Sequence, residues 1–413
     1  MKQGFLTILR FNPLTEEGYG RDNKKFLLQG QHSSFNKNDS DTSPEKKEKN
    51  DTSPRGEDAR LILLSQEVPM HLRVKEGPPR RIGGGIKYST SYGASGRAFW
   101  RHDNAFFGGE SVEARLTAGK RKNEAKLSLS LPDCLINKQT FLTSVAFSED
   151  YTRAFTEKGA TFTAGFSYDI TPFLQVNYGL QQEISRIIRN HERQHSHLTS
   201  LPVIFEYDGT DSLLNPTKGW RIRGKTTPFV GRYGNTRSFW VHEAFMSTYI
   251  RPSKKMFEEE DNIFVLAPWL KMGGISSINR VDQIPPSKRL YSGGGNSVRA
   301  YGFQLLGPID AKGTPIGGMS VLEFGGECRF ALSEKIGAAV FAEAGSVGLK
   351  HTPKLRNQDL LWGAGVGLRY FTAVAPIRID LAFPTKRRRY EGMSRNKKID
   401  APFQFYISVG QAF

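Results

Sequence analysis

Cysteine is almost missing from this chain of 413 residues, which has only Cys134 and Cys328. The two lie far apart and in no Cys-x-x-Cys or Cys/His spacing, so neither a disulfide framework nor a zinc site is expected. Long apolar runs are missing too, because no stretch of about 18 apolar residues occurs. These absences exclude a disulfide-rich module and a helical membrane protein. They do not exclude a membrane barrel, whose alternating strands give no hydropathy peak.

Sequence motifs of enzymes are also missing. Gly293–Gly295 are not followed by the Lys-Ser/Thr pair of a phosphate loop, and no Ser/His/Asp ordering stands out. His191, His195 and His197 are close in sequence, on what we predict to be an outside loop, where solvation explains them better than a metal does. We therefore expect no catalytic residue, no metal site and no cofactor.

Acidic residues are too few to balance the basic ones. The chain has 58 Lys and Arg against 41 Asp and Glu, a net charge of +17. Much of the excess lies in loops such as 386–389, so nucleic acid is not the partner that this distribution favours. Basic loops suit the phosphates of an anionic outer leaflet, and we expect outer-membrane lipid or lipopolysaccharide as a partner.

The first part of the chain has little that could fold. Residues 1–57 are polar, and 33–58 carry almost no apolar side chain, so we predict a disordered segment. The N-terminus lacks the apolar core of a signal peptide, and we expect the natural start to be truncated or replaced. Apolar residues return in 58–79, which we predict to be the remnant of a preceding domain.

Alternation of apolar and polar residues is what the chain has in plenty from residue 80 onward. Trp362, Ala364 and Val366, for example, alternate with Gly363 and Gly365. Period two is the period of a β-strand. The pattern predicts about sixteen strands, at 81–92, 94–103, 111–121, 124–132, 140–152, 157–170, 173–187, 197–209, 219–230, 238–252, 262–277, 317–333, 335–347, 360–372, 375–386 and 402–413.

This pattern predicts an all-β fold, a roughly sixteen-stranded antiparallel transmembrane β-barrel over residues 80–413. A soluble sandwich or propeller is the alternative, but no blade-length repeat occurs. The polar set of each strand would line the lumen, and the apolar set would face lipid. Predicted turns are tight on one side, at 169–172, 333–334 and 372–374, and long on the other, at 278–316, 347–359 and 387–401.

The stretch Asn296–Leu305, NSVRAYGFQL, stands out within the longest predicted loop. A single arginine, Arg299, lies here among glycines and short polar residues. We predict that this long extracellular loop folds into the lumen and that carboxylates clamp Arg299 there. The residues around the arginine that form the loop motif are Val298, Ala300, Tyr301, Gly302 and Phe303.

Several stretches resemble the BamA/TamA superfamily of outer-membrane assembly factors, whose bacterial surface antigen barrel follows periplasmic POTRA domains. Its TamA type is the most similar. These stretches are GPPRRIGGGIKYST at 77–90, EYDGTDSLLNPTKGWRIR at 206–223, IPPSKRLYSGGGNSVRAYGFQLLGP at 284–308, GGMSVLEFGGECRF at 317–330 and FAEAG at 341–345. The resemblance implies that 58–79 is a POTRA remnant and that the POTRA region is largely missing.

The resemblance also implies that acidic residues of neighbouring strands hold Arg299 inside the barrel. The alternation agrees, because it places Glu327 in the lumen together with Phe341, Glu343 and Gly345. A guanidinium pairs with carboxylates in a fork that lysine does not reproduce. Since desolvation offsets most of the Coulomb gain, we expect these pairs to fix the pose of the loop more than to stabilise the fold. A solvent-exposed arginine is the alternative.

Ala300 departs from the family pattern, which has glycine at this position. If the backbone there needs a positive φ, alanine costs roughly 1–2 kcal/mol. We therefore expect the loop tip to sit differently in this chain.

Glycines lie in both strands that would close the barrel. Gly83, Gly84 and Gly85 open the first strand, and Gly410 lies near the end of the last. Glycine weakens a strand interior, so the lateral seam could open and template an incoming client strand. Glycines that only permit barrel curvature are an equally good alternative. The terminal Phe413 matches the signal that barrel-assembly machines read in their clients.

The resemblance implies a protein that assists the insertion or translocation of outer-membrane or autotransporter proteins, in the outer membrane of a Gram-negative bacterium. Its partners would be these clients and an inner-membrane partner of the TamB type. A two-partner-secretion transporter and a diffusion porin remain alternatives.

Overall fold

The computed structural model describes residues 78–89, 93–106, 108–252, 264–276, 280–352, 360–372, 376–389 and 398–409. The predicted disordered segment 1–57, nearly all of the predicted remnant 58–79, Gly410 and Phe413 lie outside these residues. Two 3-10 turns, Val281–Gln283 and Pro286–Lys288, interrupt the long loop. Within the described ranges, no helix has the length and apolar character needed to cross a membrane.

Within the residues that the structure describes, seventeen strands form one antiparallel sheet. They are β1 (Arg80–Ser89), β2 (Gly93–Asp103), β3 (Ser111–Gly119), β4 (Lys122–Leu131), β5 (Gln139–Tyr151), β6 (Thr156–Thr171), β7 (Leu174–Arg189), β8 (Glu192–Ser200), β9 (Val203–Asp208), β10 (Gly219–Tyr233), β11 (Thr236–Tyr249), β12 (Phe264–Ser276), β13 (Ser320–Ala331), β14 (Ile336–Gly348), β15 (Leu361–Tyr370), β16 (Ile377–Pro384) and β17 (Gln404–Val409).

The order of pairing follows the order of the chain. Successive ladders run from β1–β2 through β16–β17, with β8 and β9 sharing one position between β7 and β10. β1 and β17 contact each other, so the sheet returns on itself as a barrel. No ladder between β1 and β17 occurs within the residues that the structure describes. The predicted barrel fold is confirmed.

The described residues form seventeen strands where sixteen were predicted, because one predicted strand is interrupted. β8 and β9 keep a single register: Ser200 and Val203 face Gln181 and Tyr178 of β7, in steps of three on both sides. Pro202 lies in the break and has no N–H to donate to a ladder. The barrel therefore has sixteen strand positions, one of which is divided by proline.

Alternate residues separate into two faces, as the period predicts. The outward face carries exposed apolar side chains, among them Leu116, Leu127, Phe147, Phe162 and Val366. The inward face of the later strands is buried and includes charged residues. The main apolar cluster lies inside the barrel, where residues of the loop 280–319 pack against inward side chains of β8 and of β10–β16.

One expectation about the connections was wrong, and another holds for only part of the barrel. His195 and His197 belong to β8, because the chain reverses in a tight turn at Asn190 and His191, both with positive φ, and pairs again at once. Three connections on the side of the long loop, at 120–121, 190–191 and 234–235, are two-residue turns. The asymmetry of short and long connections therefore holds only for the later strands.

Candidate functional site: an arginine held by three carboxylates inside the barrel

The tip of the loop is shaped by its own hydrogen bonds. Gly293 and Gly294 take positive φ values of 100° and 113°, which glycine adopts without strain. The Gly294 amide then donates to the Tyr301 carbonyl (2.9 Å), and the Leu306 amide donates to the Ser292 carbonyl (3.0 Å). This closed turn places Arg299 between the two arms of the loop, pointed at the inner wall.

Arg299 contacts carboxylates from three different strands. Its backbone amide and Nε donate to the two oxygens of Glu343 on β14, each at 2.7 Å. Its Nη1 donates to Glu327 Oε2 on β13 (2.8 Å) and to Asp380 Oδ2 on β16 (3.0 Å). The arginine is 1% exposed. The structure thus brings Arg299 together with Glu327 and Glu343, and adds Asp380.

Three further arginines complete the network from the strands. Arg369 on β15 donates to Asp380 Oδ1 (2.6 Å) and to Glu327 Oε1 (3.0 Å). Arg329 on β13 donates to the same Glu327 oxygen at 3.0 Å, and Arg378 on β16 lies 3.2 Å from Asp380 Oδ2. The carboxylates are therefore shared between cations, as buried charges require.

The Arg299 guanidinium also stacks on an aromatic ring. Its Cζ lies 3.4 Å from the centroid of Phe341 on β14. Burial alone would lower the pKa of this guanidinium, but the Glu343, Glu327 and Asp380 carboxylates raise it above its usual value. The side chain therefore stays charged, and the arrangement holds the loop.

Three inward glycines of β15 make the room that the loop occupies. A Cβ added to Gly363 would collide with the methyl group of Ala300, and one added to Gly365 would collide with the ring of Phe341. Gly367 lies equally close to two side chains of the ion network. β15 thus supplies backbone hydrogen bonds to β14 and β16 while presenting no side chain to the lumen at these three positions.

Ala300 does not have the strained backbone that its departure from the family pattern suggested. It is absent from the described residues with positive φ, and it is buried with its methyl group against Gly363. The expected cost of alanine does not arise, because the methyl group fills space left by β15.

The rest of the loop motif packs on both sides of the arginine. Val298 is fully buried against Gly345, where an added Cβ would lie 2.9 Å from its Cγ2. The Tyr301 hydroxyl donates to the carbonyls of Trp362 and Lys386, each at 3.1 Å. Val298 and Tyr301 are therefore fixed by β14, by β15 and by the connection that follows β16.

The loop reaches the other side of the barrel as well. Lys288 Nζ donates to Glu183 Oε2 on β7 (2.7 Å), and Arg189 at the end of β7 lies 3.2 Å from Asp310. The ring of Phe303, next to Gly302, lies 5.1 Å from the guanidinium carbon of Arg121 in the β3–β4 turn. The loop is held from both walls and crosses the lumen.

The predicted seam glycines lie where the first strand faces the second. Gly83 is directly opposite Phe99 of β2, whose ring covers it so closely that a Cβ would lie 2.5 Å from Cε1. Gly84 pairs with Ala98, and Gly85 with Arg97. The structure places all three in β1.

The sequence analysis did not assign Asp380, Arg369 or Arg378 to the site. Alternation places all three on the inward face, but Asp380 is 81 positions from Arg299 and two strands from Glu343. The sequence signal that could have revealed this contact is the glycine series at 363, 365 and 367. Because these glycines lie on β15, no side chain at these positions separates β14 from β16 on the lumen side.

A family model for the Omp85 superfamily domain matches residues 104–413, which contain Arg299 and all of its contacts. The chain belongs to the Omp85 superfamily. One curated relative of this Omp85 chain is the outer membrane protein assembly factor BamA of Nitratidesulfovibrio vulgaris, 23% identical over 366 residues. The alignment covers 84% of this chain and 43% of that protein, so the chain spans less than half of its relative.

Solved structures share the Omp85 barrel fold. BamA from Haemophilus ducreyi lacking POTRA domains 1–3 superposes with a TM-score of 0.66 at 16% identity, covering 81% of this chain and 71% of that one. CdiB from Acinetobacter baumannii gives a TM-score of 0.50 at 14% identity, covering 79% of this chain and 59% of that one. At these identities the similarity shows the fold alone.

Proposed function

We propose that this chain is an outer-membrane barrel that assists the insertion or translocation of other outer-membrane or autotransporter proteins. Membership of the Omp85 superfamily and the named assembly role of a relative support this. The exposed apolar outward face suits lipid in the outer membrane of a Gram-negative bacterium. Within the superfamily we assign the chain to the TamA type, on the sequence stretches that resemble it. It makes or breaks no covalent bond.

The observation that carries the proposal is the buried network around Arg299. A loop that only narrowed a pore could be held by solvated contacts, whereas this one commits three buried carboxylates to a single guanidinium. Such a site specifies one pose, because a displaced loop would leave uncompensated charges behind. We propose that Arg299, Glu327 and Glu343, together with Asp380, clamp the loop during assembly.

The lateral seam is the proposed place of client contact. β17 has six residues and β1 has ten, and the two touch without a ladder within the described residues. Unpaired strand edges can accept an added strand through main-chain hydrogen bonds. Clients, and an inner-membrane partner of the TamB type, are the partners that this function needs.

Locking the seam tests the function. Cysteine pairs scanned along β1 and β17, oxidised to disulfides, should stop client insertion in reconstituted membranes, and reduction should restore it. A matched lock between Thr117 and Glu124, which face each other across β3 and β4, should leave insertion unchanged. Normal client insertion with the seam locked would overturn the proposal.

A transporter of the two-partner-secretion type or a diffusion porin is the alternative from the same barrel. Contacts of the loop with both walls argue against an open pore, since Lys288 and Arg299 anchor it to β7 and to β13–β16. Single-channel recording separates the cases. A large, steady current indicates a porin, and a small, fluctuating one fits an assembly factor.

A further inference from the structure

A second arginine, Arg388, binds the same loop outside the Arg299 network. Arg388 follows β16, and Asp400 precedes β17. Arg388 Nε donates to Asp400 Oδ2 and its Nη2 to Asp400 Oδ1, both at 2.8 Å, while its backbone amide donates to Oδ2 at 2.9 Å. This is a two-point carboxylate–guanidinium pair, the geometry that fixes a guanidinium in one orientation.

The other face of the Arg388 guanidinium binds the loop backbone. Nη1 donates to the Gly307 carbonyl at 2.8 Å, and Nη2 donates to the Leu305 carbonyl. Its Cζ also lies 5.6 Å from the ring centroid of Tyr301. Two guanidinium hydrogen bonds thus go to the Asp400 carboxylate, which orients the group. The other two go to Leu305 and Gly307, which lie in the arm of the loop that returns from the tip towards β13.

Asp400 is suited to the orienting role by its burial. Its side chain is 1% exposed, and both oxygens are used by Arg388. The Asp400 carbonyl accepts from Arg387 Nε (3.0 Å), and the Ile399 amide donates to the Arg388 carbonyl (3.0 Å). The residues that bind the loop therefore also hold the two ends of the β16–β17 connection together.

The contact matters for the last strand because that strand has few other supports. β17 pairs with β16 over six residues and has no ladder to β1 within the described ranges. Its Tyr406 is buried, and the hydroxyl lies 3.4 Å from the Tyr301 carbonyl of the loop. Both the start and the middle of β17 are thus attached to the loop.

We propose that Arg388, oriented by Asp400, is a positioning residue that ties the returning arm of the loop to the β16–β17 connection. The loop then helps to place the start of the last strand, which within the described residues pairs with β16 and has no ladder to β1. The relevance to client insertion rests on the proposed function, but the attachment itself does not.

Spin-label distances test the attachment directly. Labels at exposed Lys312 in the loop and at exposed Ala401 before β17 should give one narrow distance in the otherwise unaltered protein. Arg388→Gln should broaden or split it. Arg388→Lys should broaden it partly, because an ammonium can pair with Asp400 but cannot keep the fork and both carbonyl contacts.

Arg280→Gln is the matched control. Arg280 makes a similar two-point pair with Asp282 in the same loop, but that pair is exposed and touches neither Arg388 nor Asp400. It should leave the distance narrow. If Arg388→Gln does not fold, Asp400→Asn should still broaden the distance by releasing the orientation of Arg388.

An unchanged narrow distance in folded Arg388→Gln or Asp400→Asn protein would overturn the inference. That result would leave the proposed function standing, because client insertion is measured separately. Conversely, a broadened distance with no effect of locking the seam would uphold the attachment and reject the assembly role.

Discussion

The two walls of this barrel use similar residues in opposite ways. On β13–β16, arginines and carboxylates are nearly inaccessible and reach across several strands to one loop residue. On β1–β4, Arg81 pairs with Asp103 and Arg115 with Glu113, and both pairs are partly open to solvent, with Arg81 59% exposed. The first wall excludes water because the loop covers it, and the second does not.

The difference shows that cover by the loop, and not strand alternation alone, determines how much an inward-facing ion pair contributes to stability. Exposed ion pairs contribute about 0–1 kcal/mol, whereas breaking a buried pair costs about 3–5 kcal/mol because a charge is left uncompensated. Substitutions matched between the two walls should therefore give unequal effects.

Arg299→Ala should have the largest effect, since it breaks the ion pair of buried Glu343 and removes one of the cations shared by buried Glu327 and Asp380. We expect it to weaken attachment of the loop by about 3–5 kcal/mol. The change should appear as rapid tryptic cleavage at exposed Lys312 in a barrel that remains folded. Arg97→Ala, at an exposed inward arginine of β2, should change neither property. Equal cleavage rates in the two variants would remove the distinction between the walls.

Gly365→Ala should come next, because the new methyl group would collide with Phe341. Overpacking of this kind costs about 1–3 kcal/mol, seen as a lower urea midpoint for release of the loop. Gly96→Ala on β2 is the control, since nothing lies within 4 Å of its added Cβ. A midpoint for Gly365→Ala equal to that of the control would show that the space between Gly365 and Phe341 can accommodate a methyl group.

Ala300→Gly should be mildly harmful, although it restores the residue of the family pattern. Where φ is not positive, glycine gains nothing in the folded state and adds freedom to the unfolded chain, at about 0.4–1 kcal/mol. The same cleavage assay would measure it. Slower cleavage than in the unaltered protein would mean that the loop does prefer a glycine conformation.

Acid should have the smallest effect, at the contact of the loop with β7. Burial acts to raise the pKa of Asp310, but hydrogen bonds from Asn190 and the Thr314 amide lower it below its usual value. Its contribution is therefore present above the unfolded value of about 3.9 and is lost as pH falls through the lower folded value. The mobility of a spin label at Lys312 should rise only below that range, and Asp310→Asn should abolish this acid-dependent step.

The sequence predicted the barrel well because period two repeats in every strand, and it predicted the inward direction of Glu327 and Glu343 for the same reason. It could not predict distances across strands, so Asp380 was missed, as was the Arg388–Asp400 pair between two connections. The division of one strand at Pro202 was missed because period two continues on both sides of it. Ala300 was misjudged because its space depends on Gly363, which is 63 positions away.

Strand spacing gives the bare face of β15 a further consequence. β14 and β16 are two ladder spacings apart, roughly 10 Å, yet Glu343 and Asp380 meet on one guanidinium. They can do so because the strand between them raises no side chain at Gly363, Gly365 and Gly367. On the lumen side, side chains of β14 and β16 can therefore approach each other across β15, although the two strands are not adjacent. Bulk added there would divide one shared cluster of charges into two, and the loop arginine could then serve only one of them.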